Sequence, residues 1–455
     1  MAPIGGRGKH MGATFSGPIP GEAPRTPLRR EGPAIISVTR ALPERNDMNY
    51  EELCSFETLW KAYLRARRCK RSKRGTAAFE FSAAEELLIL SKSLSRGTIQ
   101  PDPLDSFIIH EPKTRLIQAP TFRDKVVQHA LTDFVVYDEL SRSFTLTTYA
   151  AQYGKGTHFG LKMLEKHLRT HFLRKKGTDE AARRQAGLPF RPMEAWDYAD
   201  GMVIKGDIYH FFQNIDHGKL KAALSKRFPD ERLQGLMRKY IDQVEDGLAL
   251  GHQTSHIYAV FFTCSVMHYV NEKLHLPLSG MYMDDWYIIC PDKETAREAL
   301  RLVRAQLAGL GLELNNKTNI FPLRNGIDFC GFHTYLTHTG RVVKKLRYAS
   351  IKRMKRRIRK WEKQYAAGEI SREKIMESYG SWEAHAKHGD TRQLRREMRA
   401  RLDASLKRAE EARRLARVRP AATGQEERRI EQDGSATFQA GGGQFAETER
   451  TRKAN

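Results

Sequence analysis

The sequence predicts an α+β fold in which helices flank an antiparallel sheet. Three short apolar runs have the length and composition of strands, and segments with helical spacing of apolar residues separate them. The first strand is followed by three helices, a strand, a helix and a last strand, and this order is typical of the α+β class. The predicted strands are residues 202–208, 281–290 and 328–335, and the helices between them are 218–227, 231–244, 255–274 and 293–310.

The segments on either side of this region differ in character. Residues 1–45 are rich in Gly, Pro and Arg without periodicity, which predicts a disordered basic tail. Helical spacing begins near Tyr50, and apolar runs broken by Pro112 and Pro120 indicate a strand pair. The remaining segments are predicted helices at 83–94, 125–140 and 159–173, a polar surface insertion at 174–198, a basic helical region at 341–400, and a charged helix within a tail at 401–455.

The charge of the chain indicates its partner. Lys and Arg number 78 against 54 Asp and Glu, so the net charge is +24 and the pI is near 9.8. Such an excess favours nucleic acid, because each neutralised phosphate releases counterions; binding at a membrane surface or a solubilising tail is the alternative. The five cysteines lack any paired spacing, and neither an apolar run long enough to cross a membrane nor a secretory signal is evident. We therefore expect buried reduced thiols, a cytoplasmic location and no membrane partner.

A pair of adjacent carboxylates is the strongest chemical feature. The segment Tyr282-Met283-Asp284-Asp285 lies between two apolar runs, which places it at the tip of a predicted hairpin. Two carboxylates in apolar surroundings need cations, because the cost of burying them unpaired is prohibitive. A solvated Asp-Asp turn is the alternative. The apolar flanks of this turn favour the first interpretation.

A third carboxylate, Asp207, ends the apolar strand at 202–208. Together with Asp284 and Asp285 it supplies the oxygen donors that Mg²⁺ prefers. We predict two Mg²⁺ ions, with Mn²⁺ as a substitute, and count Ile208 with the three aspartates as metal positions. Two such ions can activate a 3′-hydroxyl and stabilise a leaving pyrophosphate. Asp216 competes for this role, but it precedes a helix and is better explained as its N-cap.

Residues 50–382 resemble bacterial reverse transcriptases, in which the same motifs occur in the same order. Beside the two Asp-containing segments, the resemblance covers fingers motifs, a glycine-rich block and a primer-grip turn. The matching segments are 111–115 and 119–127 for the fingers, 149–158, 207–217 for motif A, 250–255 for motif B, 282–285 for motif C, 312–317 for motif D and 329–332 for the primer grip.

The resemblance implies a right-hand polymerase that makes DNA on an RNA template. It divides the chain into fingers (46–200), palm (201–340) and helical thumb (341–400). The expected partners are an RNA template, a DNA or RNA primer and deoxynucleoside triphosphates, with an accessory protein or structured non-coding RNA as a further candidate. An RNA-dependent RNA polymerase and a nucleic-acid-binding protein with an inactive palm are the alternatives. Phe212 disfavours the first of these, and the intact carboxylates disfavour the second.

Individual roles also follow from the resemblance. Lys113 and Arg115 are expected to bind the triphosphate, although a basic strand edge is the alternative. Phe212 is expected to exclude a ribose 2′-hydroxyl, and Lys317 to protonate pyrophosphate, unless it is a solvated loop lysine. Ile208, Leu250 and Gly251 complete the nucleotide-binding set. The expected nucleic-acid-binding residues are Arg123, Tyr282, Met283, Phe329, Gly331, Lys352, Arg356, Arg357 and Lys360.

Motif B places the chain within the superfamily. Leu250 stands where group II intron maturases have Gln, and an apolar residue followed by Gly and a later Ser is similar to diversity-generating retroelements. His256 follows Ser255, where that group usually has Gln, and Gln152 stands where Arg is frequent. The resemblance therefore favours an error-prone enzyme of that group, with a retron-like or phage-defence reverse transcriptase as the competitor.

Overall fold

Helices and strands are grouped in short runs along the chain, and the computed structural model describes residues 49–110, 114–189, 200–337 and 339–418. The terminal tails and Lys113 lie outside these residues. The helices are α1 (Tyr50–Cys54), α2 (Phe56–Ala66), α3 (Arg74–Phe81), α4 (Ala83–Ser95), α5 (Phe122–Leu131), α6 (Tyr137–Ser141), α7 (Thr157–Gln185), α8 (His217–Ser225), α9 (Glu231–Ile241), α10 (Gln253–His268), α11 (Lys293–Gly309), α12 (Tyr348–Ala366), α13 (Arg372–Ala386) and α14 (Arg392–Val418). The strands are β1 (Asp105–Ile109), β2 (Arg115–Ala119), β3 (Met202–Asp207), β4 (Ser279–Tyr282), β5 (Asp285–Cys290), β6 (Asn319–Pro322), β7 (Ile327–Phe329), β8 (Phe332–Leu336) and β9 (Val342–Leu346).

The central sheet has the strand order β4-β5-β3-β6, and every pairing in it is antiparallel. Side chains alternate between its two faces. Ile204 and Ile288 belong to the apolar cluster that includes α10 and α11, whereas Val203 and Ile289 belong to the cluster that includes α7. Because both faces are covered, residues 202–204 of β3 and 286–290 of β5 form the continuous apolar runs that predicted these strands.

Two smaller sheets adjoin the central one. The predicted strand pair near residues 107–122 is confirmed as the β1–β2 hairpin, and β7, β8 and β9 form a three-stranded antiparallel sheet. The prediction of helix from residue 341 is wrong, because β9 pairs with β8 and buries Val342 and Leu346. Strand β6 was not predicted; its four residues, only partly buried, carry too little periodicity to be recognised.

Helix α7 is longer than its apolar pattern suggested. The predicted irregular insertion at 174–198 is wrong as far as Gln185, which ends the helix. Ion pairs one turn apart support this polar extension: Lys176 contacts Glu180 at 3.6 Å, and Arg183 contacts Asp179 at 3.2 Å. Such pairs stabilise a helix without an apolar stripe. Residues 190–199 are outside the described part of the chain.

Helices α12, α13 and α14 pack around their own apolar cluster. On α12 the buried residues Met354, Ile358 and Trp361 share one face, and the opposite face is basic. Helix α14 begins at Arg392, before the segment 401–455 in which the charged helix was predicted. None of the described helices is apolar over a bilayer's width.

Candidate active site

A cleft of about 670 Å³ lies between the β1–β2 hairpin, the end of β3 and the β4–β5 turn. It brings together residues that are far apart in the sequence. Those that the sequence had singled out are Arg115, Asp207, Ile208, Phe212, Leu250, Tyr282, Met283, Asp284 and Asp285. The cleft is also lined by residues that sequence reasoning missed, among them Tyr209, His210, His256 and Asn315.

The three aspartates are positioned by the pairing of β3 with β5. Asp207 stands opposite Asp285 in the register, so the two side chains lie on one face of the sheet. The backbone N–H of Ile208 donates to the carbonyl of Asp284 at 3.1 Å, which attaches the hairpin turn to the end of β3. Within that turn Met283 has φ +56°, a left-handed conformation that costs free energy in a non-glycine residue. The predicted hairpin tip is confirmed.

The segment after α11 supports Asp207 from the other side. The backbone carbonyl of Asp207 accepts a hydrogen bond from the backbone N–H of Asn315 at 2.8 Å. The backbone N–H of Asp207 donates to the Thr318 hydroxyl at 3.3 Å. Lys317 lies between these contacts; its side chain is exposed and is not part of the cleft lining. Asp216 accepts from the backbone N–H of Lys219 at 2.7 Å, which confirms it as the N-cap of α8.

Lys205 lies beside the carboxylates. It precedes Asp207 by two residues and forms an ion pair with Asp285. Its Nζ also donates to the carbonyl of Trp286 at 3.3 Å. Burial lowers the pKa of Lys205 to about 8, and the Asp207 and Asp284 carboxylates oppose that decrease. The amine is therefore still a cation at neutral pH.

The donor chemistry of the cleft fits Mg²⁺, since three carboxylates line it. Nevertheless, within the described residues no group of three or more His, Cys, Asp or Glu side chains is arranged to hold a metal ion. The carboxylates are adjacent, but they do not form a ready-made metal site.

Phe212 forms part of the wall near these carboxylates. Its ring packs edge-on against Phe211 at 5.4 Å and against His256 at 5.6 Å between centroids. Its carbonyl accepts from the backbone N–H of Leu248 at 2.7 Å. Phe211 is buried and Phe212 is half-buried, and both lie in the turns formed by residues 209–214. The position of His256 directly after Ser255 was the one signal that could have identified it.

Gly251 is where the loop before α10 touches β2. A Cβ at this position would lie 2.2 Å from the carbonyl oxygen of Gln118 and 2.8 Å from the Cα of Ala119. Only glycine permits so close an approach between backbones. The neighbouring Leu250 lines the cleft, as does Arg115 at the start of β2.

Two residues expected to bind nucleic acid make contacts within the protein. The Arg123 guanidinium pairs with Asp102 at 2.7 Å and donates to the carbonyl of Gln100 at 2.6 Å, outside the cleft lining. Phe329 was also expected to bind nucleic acid. Only 1% of Phe329 is exposed, and its ring packs 5.0 Å from that of Tyr287. Its burial leaves no ring surface for a nucleic acid.

The remaining expected residues lie outside the cleft lining. Gly331 has φ +88° and follows Cys330 at φ +46°, so the two form the turn between β7 and β8. Four basic residues of α12 are exposed opposite its buried face. They are Lys352, Arg356, Arg357 and Lys360.

No family model matches this chain, and no curated protein matches it. A solved telomerase from Candida albicans, in complex with a TWJ fragment of telomeric RNA, is 12% identical with a TM-score of 0.38, covering 58% of this chain and 51% of that one. An apo telomerase from Candida tropicalis is 14% identical with a TM-score of 0.37, covering 70% and 59% respectively. The chain thus spans between half and three-fifths of those telomerase chains, and the activity proposed below rests on its own cleft.

Proposed function

We propose that this chain is an RNA-directed DNA polymerase. One observation carries the proposal: Asp207 and the Asp284-Asp285 pair line the same cleft. Arg115 and Phe212 line that cleft as well. Carboxylates at a strand end and at a facing hairpin tip can hold metal ions over a polynucleotide end. The basic surface of α12 supplies the charge that a phosphate backbone requires.

Asp207, Asp284 and Asp285 would hold two Mg²⁺ ions, together with the backbone carbonyl of Ile208. When bound, these ions supply activation of a 3′-hydroxyl and charge stabilisation of the leaving pyrophosphate. Lys205 engages one oxygen of Asp285 in this structure, so a metal ion would compete with Lys205 for that oxygen.

Other residues act on the nucleotide and its products. Arg115 binds triphosphate oxygens, for which its fork of donors is suited. Phe212 occupies the volume that a ribose 2′-hydroxyl needs, and this favours deoxynucleotides. Lys317, two residues beyond the cleft-lining Asn315, delivers a proton to pyrophosphate. Lys113 would join Arg115 at the triphosphate.

Leu250 bears on fidelity. It lines the cleft with an apolar side chain, which can make no polar contact to a base pair. A site that checks a hydrogen bond can reject a wrong partner strongly, whereas apolar contact discriminates by only ~1–3 kcal/mol. We therefore assign the chain to the error-prone enzymes of diversity-generating retroelements, acting on an RNA template and a primer.

Primer extension on a defined RNA template tests the proposal. Asp284→Asn should abolish synthesis while leaving template binding nearly unchanged, since binding depends mainly on basic side chains. Asp216→Asn is the matched control: it removes a carboxylate from the α8 N-cap but leaves a good capping residue, so synthesis should persist. Synthesis by the Asp284 variant above background would exclude the two-metal assignment.

A further inference from the structure

Lys205 lies on the same face of the central sheet as two of the aspartates. Residues two apart on a strand point the same way, so Lys205 and Asp207 share one face of β3. Asp207 stands opposite Asp285 on β5, and directly opposed side chains of an antiparallel pair also share a face. The sheet therefore places one ammonium group among the carboxylates of the proposed metal site.

The contacts of Lys205 hold it in this position. The exposed fraction of its side chain is 18%, and its Nζ pairs with the carboxylate of Asp285. The same atom donates to the carbonyl of Trp286 at 3.3 Å and lies 5.8 Å from the centroid of the Phe329 ring. With an acceptor on β5 and an aromatic ring nearby, this amine is part of a built environment rather than a solvated surface lysine.

We infer that Lys205 is the internal counter-ion of the carboxylate cluster and competes with divalent metal for Asp285. The inference rests on the proposed function, whose metal site it describes more closely. In this view the protein alone binds metal weakly. A nucleoside triphosphate favours the metal over Lys205, because its phosphate oxygens add metal ligands and negative charge.

The sign of the effect separates this role from simple support of the fold. A cation close to a metal site repels the incoming ion, so a neutral side chain at position 205 should strengthen metal binding. If Lys205 only holds Asp285 in place, the same change should weaken metal binding or leave it unaltered. On this inference the charge of the Lys205 side chain, rather than its shape, sets the affinity of the site for metal.

The experiment measures Mn²⁺ binding to the full chain by electron paramagnetic resonance of free Mn²⁺, with and without deoxynucleoside triphosphate. Lys205→Met removes the charge at similar size, and Lys205→Gln also keeps a donor for the Trp286 carbonyl, in case the first variant does not fold. Lys345→Met is the matched control, since Lys345 is likewise a strand lysine near an aromatic ring, 5.6 Å from the Tyr335 centroid. The Mn²⁺ binding that is lost in Asp284→Asn is the binding at the cleft.

Without nucleotide, a neutral variant at position 205 should bind Mn²⁺ about tenfold more tightly than the unaltered protein. Nucleotide should reduce the difference in Mn²⁺ affinity between the position-205 variants and the unaltered protein. The Lys345 variant should bind Mn²⁺ with the affinity of the unaltered protein. Cleft binding of unchanged or weaker affinity in the Lys205 variants overturns the inference and leaves the proposed function standing. If no variant shows binding that depends on Asp284, the metal site, and the proposed function with it, is overturned.

Discussion

Gly251→Ala tests how closely the β1–β2 hairpin must approach the rest of the cleft. The added Cβ would lie 2.2 Å from the Gln118 carbonyl oxygen, whereas ordinary contact begins near 3.4 Å. The atoms it meets belong to the backbone of β2, which cannot rotate away as a side chain can. The hairpin or the loop before α10 must therefore move by about 1.2 Å, the difference between these two distances.

That displacement determines the expected loss. A misplacement of ~1 Å at a reaction centre can cost about 100-fold in rate, because reacting groups leave their productive geometry. Arg115 lies on the same strand as Gln118, so the proposed triphosphate contact shifts with it. We expect a fall of roughly 100-fold in the single-turnover rate of primer extension and a loss of about 1–3 kcal/mol in stability from overpacking.

The matched control is Gly235→Ala in the middle of α9, where a Cβ would meet nothing within 4 Å. Alanine is the better helix former there, so stability should rise by about 0.5–1 kcal/mol and the extension rate should not change. Rapid-quench extension and denaturant titration measure both quantities. An extension rate for Gly251→Ala within a few-fold of the unaltered protein would refute the reasoning, since the cleft would then tolerate a separated hairpin.

Three further predictions follow from the cleft and the core. Phe212→Ala should admit ribonucleotides, because the ring no longer fills the 2′-hydroxyl volume; an unaltered ratio of ribo- to deoxynucleotide incorporation would place the discrimination elsewhere. Leu250→Gln should lower misincorporation at a cost in rate, and sequencing cDNA made on one template measures it; equal error spectra would make Leu250 a packing residue. Burial lowers the pKa of His167 and of His252 from 6.5 to about 4. Because the folded state then binds fewer protons than the unfolded one, stability should fall as pH decreases from 6.5 to 4, by roughly 3 kcal/mol for each histidine. Urea unfolding at several pH values checks this, and a flat profile over that range contradicts it.

Local features of the sequence were sufficient for the framework of the fold. Strand β5 was predicted because a strand covered on both faces must be apolar along its whole length. Helices α9 and α11 were predicted from their amphipathic spacing, and Asp216 as an N-cap because it directly precedes an apolar-periodic segment. Asp284 and Asp285 were recognisable since both belong to one four-residue segment between two strands.

Features that depend on partners distant in the chain were not accessible in this way. Strand β9 is defined by its pairing with β8, and its own five residues are too few to distinguish a strand from the basic helix that follows. Phe329 was expected at a nucleic-acid surface, yet Tyr149 and Tyr287 cover it. Neither of those rings is near Phe329 in sequence, so no local pattern indicates this burial.

The sequence by itself determined the α+β class, the basic character and the three aspartates, because each depends on composition or on neighbouring residues. Only the tertiary structure decided what surrounds those aspartates. Lys205 meets Asp285 across the pairing of β3 with β5, and Gly251 meets Gln118 where the loop before α10 approaches β2. Such contacts depend on how whole elements pack, and the residues next to each partner in the sequence do not predict them.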